Sequence, residues 1–204
     1  MIIMTITQIQ QLGRNKACVI LDDEIQWILP PSVVRERQLC PGQELSEDIY
    51  TELYETYVLK AAKLKALDLL RRRDHTEKEL REKLTRQGFD PETVRKAVAY
   101  VDSYHYLDDE RYVRSYLLSA SSGKSRQVIC QTLAAKGIDP QTIQDCMEEL
   151  ELDDTENIRK ICEKKFGDLN SMSREQRQKV FQYFLRRGYK YGDIASIIKE
   201  FDSI

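Results

Sequence analysis

Thr76-Glu-Lys-Glu-Leu80-Arg-Glu-Lys-Leu84-Thr-Arg-Gln-Gly88-Phe89-Asp90-Pro91, running on to Val94, Val98 and Val101, is the stretch that decides the fold. Its rhythm returns twice. Ser125-Arg-Gln-Val-Ile129-Cys-Gln-Thr-Leu133-Ala-Ala-Lys-Gly137-Ile138-Asp139-Pro140 continues to Ile143, Met147 and Leu150. Val180 to Phe184, followed by Leu185-Arg-Arg-Gly188-Tyr189, continues to Ile194, Ile198 and Phe201. Counted from its glycine, each copy is apolar at −8, −4, +1, +6, +10 and +13, and the glycines stand 49 and then 51 residues apart. Self-similarity at such a period marks a repeat architecture.

Local chemistry accounts for the landmarks. Thr76 with Glu79, and Ser173 with Gln176, have the spacing of a capping box, in which a hydroxyl and a side-chain carbonyl satisfy free amides at a helix start. Ser125 is a simple N-cap. Each glycine follows an amphipathic helix, where a residue of positive φ ends the helix without a Cβ clash. Asp90-Pro91 and Asp139-Pro140 then set an N-cap acid before a proline at the first helical position. The motif is helix, glycine turn, helix. The third copy has Lys190-Tyr191 where the others have Asp-Pro, so its turn is less firmly specified.

A further helix precedes each pair. Residues from about Glu52 to Arg73 place Leu59, Ala62, Ala66, Leu69 and Leu70 at helical spacing. Asp108 to Ala120 carries Tyr112, Val113, Tyr116 and Leu117, and Thr155 to Phe166 carries Ile158, Ile161, Cys162 and Phe166. Each unit is three short helices, and stacked neighbours supply the core that one unit lacks. Residues 1–45 differ. Ile2 to Ile9, Ala17 to Leu21 and Glu24 to Leu29 read as strands, with Asp22-Asp23 as a tight hairpin turn. Pro30-Pro31 ends the last strand, Ser32 to Gln38 forms a short helix, and Cys40-Pro41-Gly42 turns the chain towards the long helix. The fold class is therefore mostly α, three tandem three-helix repeats after a small β-hairpin-containing segment. The expected boundaries are 1–45, 46–107 (long helix plus first repeat), 108–152 and 153–204.

Composition narrows the function. Of 204 residues, 32% are charged and 41% hydrophobic, with 32 Lys and Arg against 34 Asp and Glu. Only eight glycines and five prolines occur, about half the usual share, as long helices require. No apolar run approaches the roughly 20 residues of a membrane helix, and no signal peptide opens the chain. A cytoplasmic protein with no membrane association is expected. The net charge of −2 hides an alternation. Residues 1–55 hold 4 basic and 9 acidic side chains, residues 56–107 hold 12 and 8, residues 108–152 hold 5 and 8, and residues 153–204 hold 11 and 9.

Catalytic chemistry finds little support. The five cysteines (Cys18, Cys40, Cys130, Cys146 and Cys162) form no zinc-type spacing and read as free thiols of a reducing compartment, Cys130 and Cys146 on apolar helix faces. His75 and His105 lack clustered ligands, and no glycine-rich phosphate loop exists. The chain reads as a non-enzyme without cofactor or metal. Lys60, Lys63, Lys65, Arg71, Arg72 and Arg73, then Lys78, Arg81 and Arg86, form a basic surface able to engage phosphates. The simpler reading, a solvated helix face with arginines complementing the helix dipole, outweighs specific DNA binding. The helix pairs also have the form of a DNA-binding helix-turn-helix. Gln141, Thr142, Gln144, Asp145, Glu148 and Glu149 on the second reading helix would repel a duplex, so base reading by every repeat is improbable. Of the 11 tyrosines, most are expected in cores, with a minority anchoring a partner.

The stretch His105-Tyr106-Leu107-Asp108-Asp109-Glu110-Arg111-Tyr112-Val113, preceded by Ala66-Leu67…Leu70 and Leu80…Leu84…Gly88, resembles the RecX family. Its members have tandem three-helix repeats with an aromatic-Leu-Asp-Asp-x-Arg-aromatic signature between the first and second. Here the signature is Tyr106, Leu107, Asp108, Asp109, Arg111 and Tyr112, and Gly123-Lys124-Ser125-Arg126 to Ile138 is similar to the second repeat. The resemblance runs from about Lys60 to the C-terminus and leaves out the β segment. Asp108 and Asp109 suit an N-cap and first helical turn, a structural role. The resemblance implies an elongated, curved array and a regulator that binds RecA recombinase, chiefly as its filament on single-stranded DNA. It implies inhibition of recombination and of co-protease activity in DNA repair and the SOS response. A monomer with weak single- or double-stranded DNA binding is expected. Arg71, Arg72, Arg73, Lys78 and Arg81 are the expected contacts to filament or DNA. The alternative is a direct helix-turn-helix-like DNA-binding protein.

Overall fold

Three β-branched runs at the start of the chain pair as predicted. Strands β1 (Met4–Gln11), β2 (Ala17–Leu21) and β3 (Ile25–Leu29) are antiparallel neighbours. Asp22 and Asp23 both adopt positive φ, 47° and 60°, at the centre of a turn that the Glu24 amide closes by donating to the Leu21 carbonyl, which gives the hairpin a twist matching its strands. This is a computed structural model; it describes residues 4–120, 123–167 and 172–200, so Ile2, Ile3 and Phe201 of the patterns above lie outside the described residues.

Helix α1 (Pro31–Glu36) follows, then a strand that sequence pattern did not reveal, β4 (Glu44–Leu45). It joins the far side of β1, so the sheet order is β3-β2-β1-β4. The next helix starts earlier than its apolar spacing indicated, at α2 (Glu47–Leu53), because Ser46 caps it by accepting the Ile49 amide and Glu47 and Asp48 fill its first turn. It passes through a π-helical stretch, Tyr54–Leu59, into α3 (Lys60–Arg72). Leu53, Tyr54, Val58 and Leu59 share a buried cluster with Ile6, Val19, Leu21, Trp27, Leu29 and Leu45. The first half of the long helix thus covers the sheet, while Ala62 and Ala66 in its second half belong to the first-repeat core.

The repeats take their predicted form. In the first, α4 (Glu77–Arg86) and α5 (Pro91–Ser103) follow α3; in the second, α6 (Asp109–Ala120), α7 (Arg126–Ala135) and α8 (Pro140–Glu149). The third has α9 (Asp154–Ile161) with a π-helical end, Cys162–Phe166, then α10 (Arg174–Leu185) and α11 (Tyr191–Glu200). Thr76, Asp90, Ser125, Asp139 and Ser173 all accept amides as N-caps, and Ser173 with Gln176 completes a reciprocal capping box. Gly88, Gly137 and Gly188 have φ of 89°, 90° and 79°. After each, an amide reaches back to close the helix end, as Phe89 N–H does to the Leu84 carbonyl.

Each repeat encloses its own apolar cluster. Among the described residues the landmark positions are buried, apart from the half-buried Phe89, Leu150 and Ile198, and buried too is a position that the pattern left out, nine residues after each glycine: Ala97, Cys146 and Ile197. The chain divides into two compact units, Met1–Asp108 and Asp109–Ile204. Within the second, the repeats meet along a polar seam. The Arg126 amide donates to Asp154 Oδ1 at 2.9 Å, and Asn157 Nδ2 donates to the Lys124 carbonyl and the Tyr189 hydroxyl. Gly188 lies against Val128 there, so closely that a Cβ would stand 2.4 Å from Val128 Cγ2.

Candidate functional site

The basic residues singled out in the sequence gather at the end of α3 and the start of α4, and the fold gives most of them acidic company. Arg71 and Arg72 both reach Asp68, at 3.2 and 3.0 Å, and Lys65 approaches the same carboxylate. These cations hold the Asp68 carboxyl below its ordinary pKa, Arg72 contributing most of the lowering. Arg81 Nε donates to Glu77 Oε1 at 2.7 Å. Arg73 leaves the helix in an extended conformation, and its carbonyl meets His75 Nδ1 at 2.9 Å. Lys78 lies one turn before Arg81 on α4. The result is a surface of mixed charge, with arginine side chains exposed to solvent (81% at Arg71) and tethered by carboxylates three or four residues away.

The signature residues split between cores. Leu107 packs with the first-repeat cluster, whereas Tyr112 is buried in the second. Asp109 opens α6 as a first-turn acid, with Asp108 just before it. Tyr106 is exposed and stacks on Tyr104 at 6.0 Å, which in turn meets Tyr100 at 5.1 Å. His105 between them has φ of 55°, and the Tyr106 amide returns to the Val101 carbonyl to close α5. Arg111 is exposed on α6.

One cluster went unnoticed in the sequence. Lys164, Lys165, Tyr183 and Arg187 line a cavity of about 500 Å³ beside Gly123 and Ile161. Its only sequence signal is a pair of adjacent lysines and an arginine before a landmark glycine, too far apart along the chain to be associated. Another cavity, of about 480 Å³, mixes signs, setting Asp153, Asp154 and Asp193 against Arg126 and Lys190. Among the described residues no group of His, Cys, Asp and Glu is arranged to hold a metal ion. The Cys162 thiol, enclosed in the third-repeat core, is pushed up to about 11 by burial, which leaves it protonated and unreactive. No described helix is long and apolar enough to cross a membrane.

Fold and surface together define a tandem array of helical triplets with a surface of mixed charge. Three family models match in order: the first three-helix domain of RecX over residues 62–100, the second over 108–147 and the third over 152–198. A regulatory protein RecX of Serratia proteamaculans is 32% identical over 160 residues, covering 67% of this chain and 95% of that one. One of Clostridium perfringens is 25% identical over 201 residues, covering 96% and 94%. A crystal structure of a regulatory protein RecX superposes at a TM-score of 0.62, with 25% identity over 97% of this chain and 99% of that one. The chain belongs to the RecX family of regulatory proteins. The clostridial alignment takes in nearly the whole chain, so the N-terminal β segment is shared by some relatives, while the Serratia protein matches only two-thirds of it.

Proposed function

We propose that the chain regulates RecA recombinase by binding its filament on single-stranded DNA, mainly inhibiting ATP hydrolysis, strand exchange and co-protease activity in DNA repair and the SOS response. The observation that carries this reading is the ordered match of all three repeats to the RecX domains. It acts in the cytoplasm as a monomer without cofactor.

The face of Arg71, Arg72, Arg73, Lys78 and Arg81 is the proposed contact to the filament. Mixed charge of this kind suits a protein partner, which offers both signs, better than a duplex, which offers one. Surface ion pairs contribute only about 0–1 kcal/mol each, so exchanging them for pairs with a partner costs little. The test mixes the protein with RecA, single-stranded DNA and ATP. At stoichiometric amounts ATP hydrolysis and strand exchange should both fall; unchanged rates overturn the reading.

A further inference from the structure

The cavity in the third repeat sets two of its cations against one aromatic ring, where Arg71, Arg72 and Arg81 of the first repeat are set against carboxylates. Lys165 Nζ lies 4.2 Å from the centroid of the Tyr183 ring, and Arg187 Cζ lies 3.7 Å from it. Phe166 and Phe184 fix that ring edge-on at 5.1 and 5.2 Å. A ring holds a cation through its quadrupole and leaves the charge uncancelled. Among the described residues, no carboxylate forms an ion pair with Lys164, Lys165 or Arg187, and none lines the cavity. By contrast, Arg71, Arg72, Arg81, Arg86, Arg95, Arg114 and Arg159 each reach a carboxylate.

Backbone geometry keeps the guanidinium approachable. Gly123 has φ of 85°, and a Cβ on it would stand 3.8 Å from Arg187 Nε, so the missing side chain leaves that edge open. Arg187 itself sits in the turn before Gly188, its carbonyl accepting the Ser125 amide at 3.4 Å. The guanidinium is therefore fixed at its root by the fold and along its face by a tyrosine.

We propose that this cavity binds the phosphodiester backbone of a single nucleic-acid strand. Uncancelled lysine and arginine charge in a recess without acids is the chemistry that recognises phosphate, and a guanidinium fork fits its oxygens. Several cations spread over two elements suit successive phosphates better than one small anion. A flexible strand can turn its phosphates into a recess, which a duplex, carrying them on a convex cylinder, does less readily. The inference rests on the reading that the chain works at a filament containing single-stranded DNA, and it adds a direct contact to that DNA.

The experiment leaves RecA out, so that its failure and the failure of the RecA reading are distinct. Binding of the full chain to fluorescently labelled oligothymidylate is followed by anisotropy across a salt series. The pair Lys164→Gln/Lys165→Gln should weaken binding about tenfold or more and flatten the log–log salt slope by roughly 1.4, about 0.7 for each phosphate no longer neutralised. Arg187→Gln should act in the same direction, while Arg95→Gln/Arg114→Gln, which removes two carboxylate-paired cations outside either proposed contact, stays close to the parent. Both lysines are exposed, so the double variant keeps the fold, which circular dichroism checks. The proposal is overturned if the parent does not bind the strand at low salt, or if the lysine pair loses no more than the Arg95/Arg114 pair. Tighter binding to duplex, or displacement of the strand by inorganic phosphate at matched ionic strength, also overturns it.

Discussion

The first and third repeats share one helix–glycine–helix pattern and treat both their glycines and their positive charges differently. Gly88 and Gly188 occupy the same place with φ of 89° and 79°, yet a Cβ on Gly88 would meet open space and one on Gly188 would strike Val128. Arg71, Arg72 and Arg81 of the first repeat lean on carboxylates of their own helices, whereas Lys165 and Arg187 of the third lean on Tyr183. The lesson is that a repeat keeps backbone requirements and core positions while leaving each copy's surroundings free. Equal residues at equal positions then have unequal energies.

The largest expected effect comes from the glycines. Alanine at Gly88 forces a left-handed conformation on a side chain and costs about 1–2 kcal/mol. Alanine at Gly188 adds to that a core clash, for which overpacking costs typically about 1–3 kcal/mol more. Urea unfolding of Gly88→Ala and Gly188→Ala should show the greater loss at Gly188, and equal losses would break the comparison.

A smaller effect of opposite sign lies at the far end of the first repeat. His105 performs with a side chain, at φ of 55°, the helix-ending task that glycine performs after α4. His105→Gly should therefore stabilise the protein by about 1 kcal/mol, through relief of the left-handed strain. A loss of stability on that change would mean that the imidazole makes a contact worth more than the strain.

The smallest effect sharpens the contrast at the helix starts. His75 precedes the cap Thr76 where Met172 precedes the cap Ser173. Burial, with help from Lys83 and Arg73, pushes the His75 imidazole below its ordinary pKa of 6.5, and its Nε2 has no hydrogen-bond partner. Because the unfolded imidazole takes up a proton near pH 6.5 and the folded one resists, stability is full above that pH. It then declines as pH falls towards the folded pKa. His75→Met should flatten the dependence of the urea midpoint between about pH 7.5 and about pH 5.5. An unchanged slope would remove His75 as its source.

Much of this was legible because it is local. Caps such as Ser173, turns such as Asp22-Asp23 and the three glycines declare themselves within a few residues, since their chemistry concerns the nearest amides. Strand β4 was not legible: two residues carry no period, and pairing with Met4 and Thr5 defines them. His105 and Glu151 at positive φ escaped notice because neither is glycine. The third repeat shows the opposite case, since α11 starts at Tyr191 without the Asp-Pro pair that its sister helices use. At the candidate sites, the sequence counted charges but did not say which were cancelled. That depends on which side chain comes to lie over Tyr183, a matter of tertiary arrangement.

The mixed-charge face of the first repeat is thus proposed to meet the protein of the filament, and the uncancelled cations of the third its DNA. The most direct test measures affinity for the assembled RecA filament and for the naked strand with the same two variants. Arg71→Glu/Arg72→Glu/Arg73→Glu should lose filament binding by a larger factor than strand binding, and Lys164→Gln/Lys165→Gln should do the reverse. Equal losses on both ligands, or filament binding that neither variant changes, would contradict it.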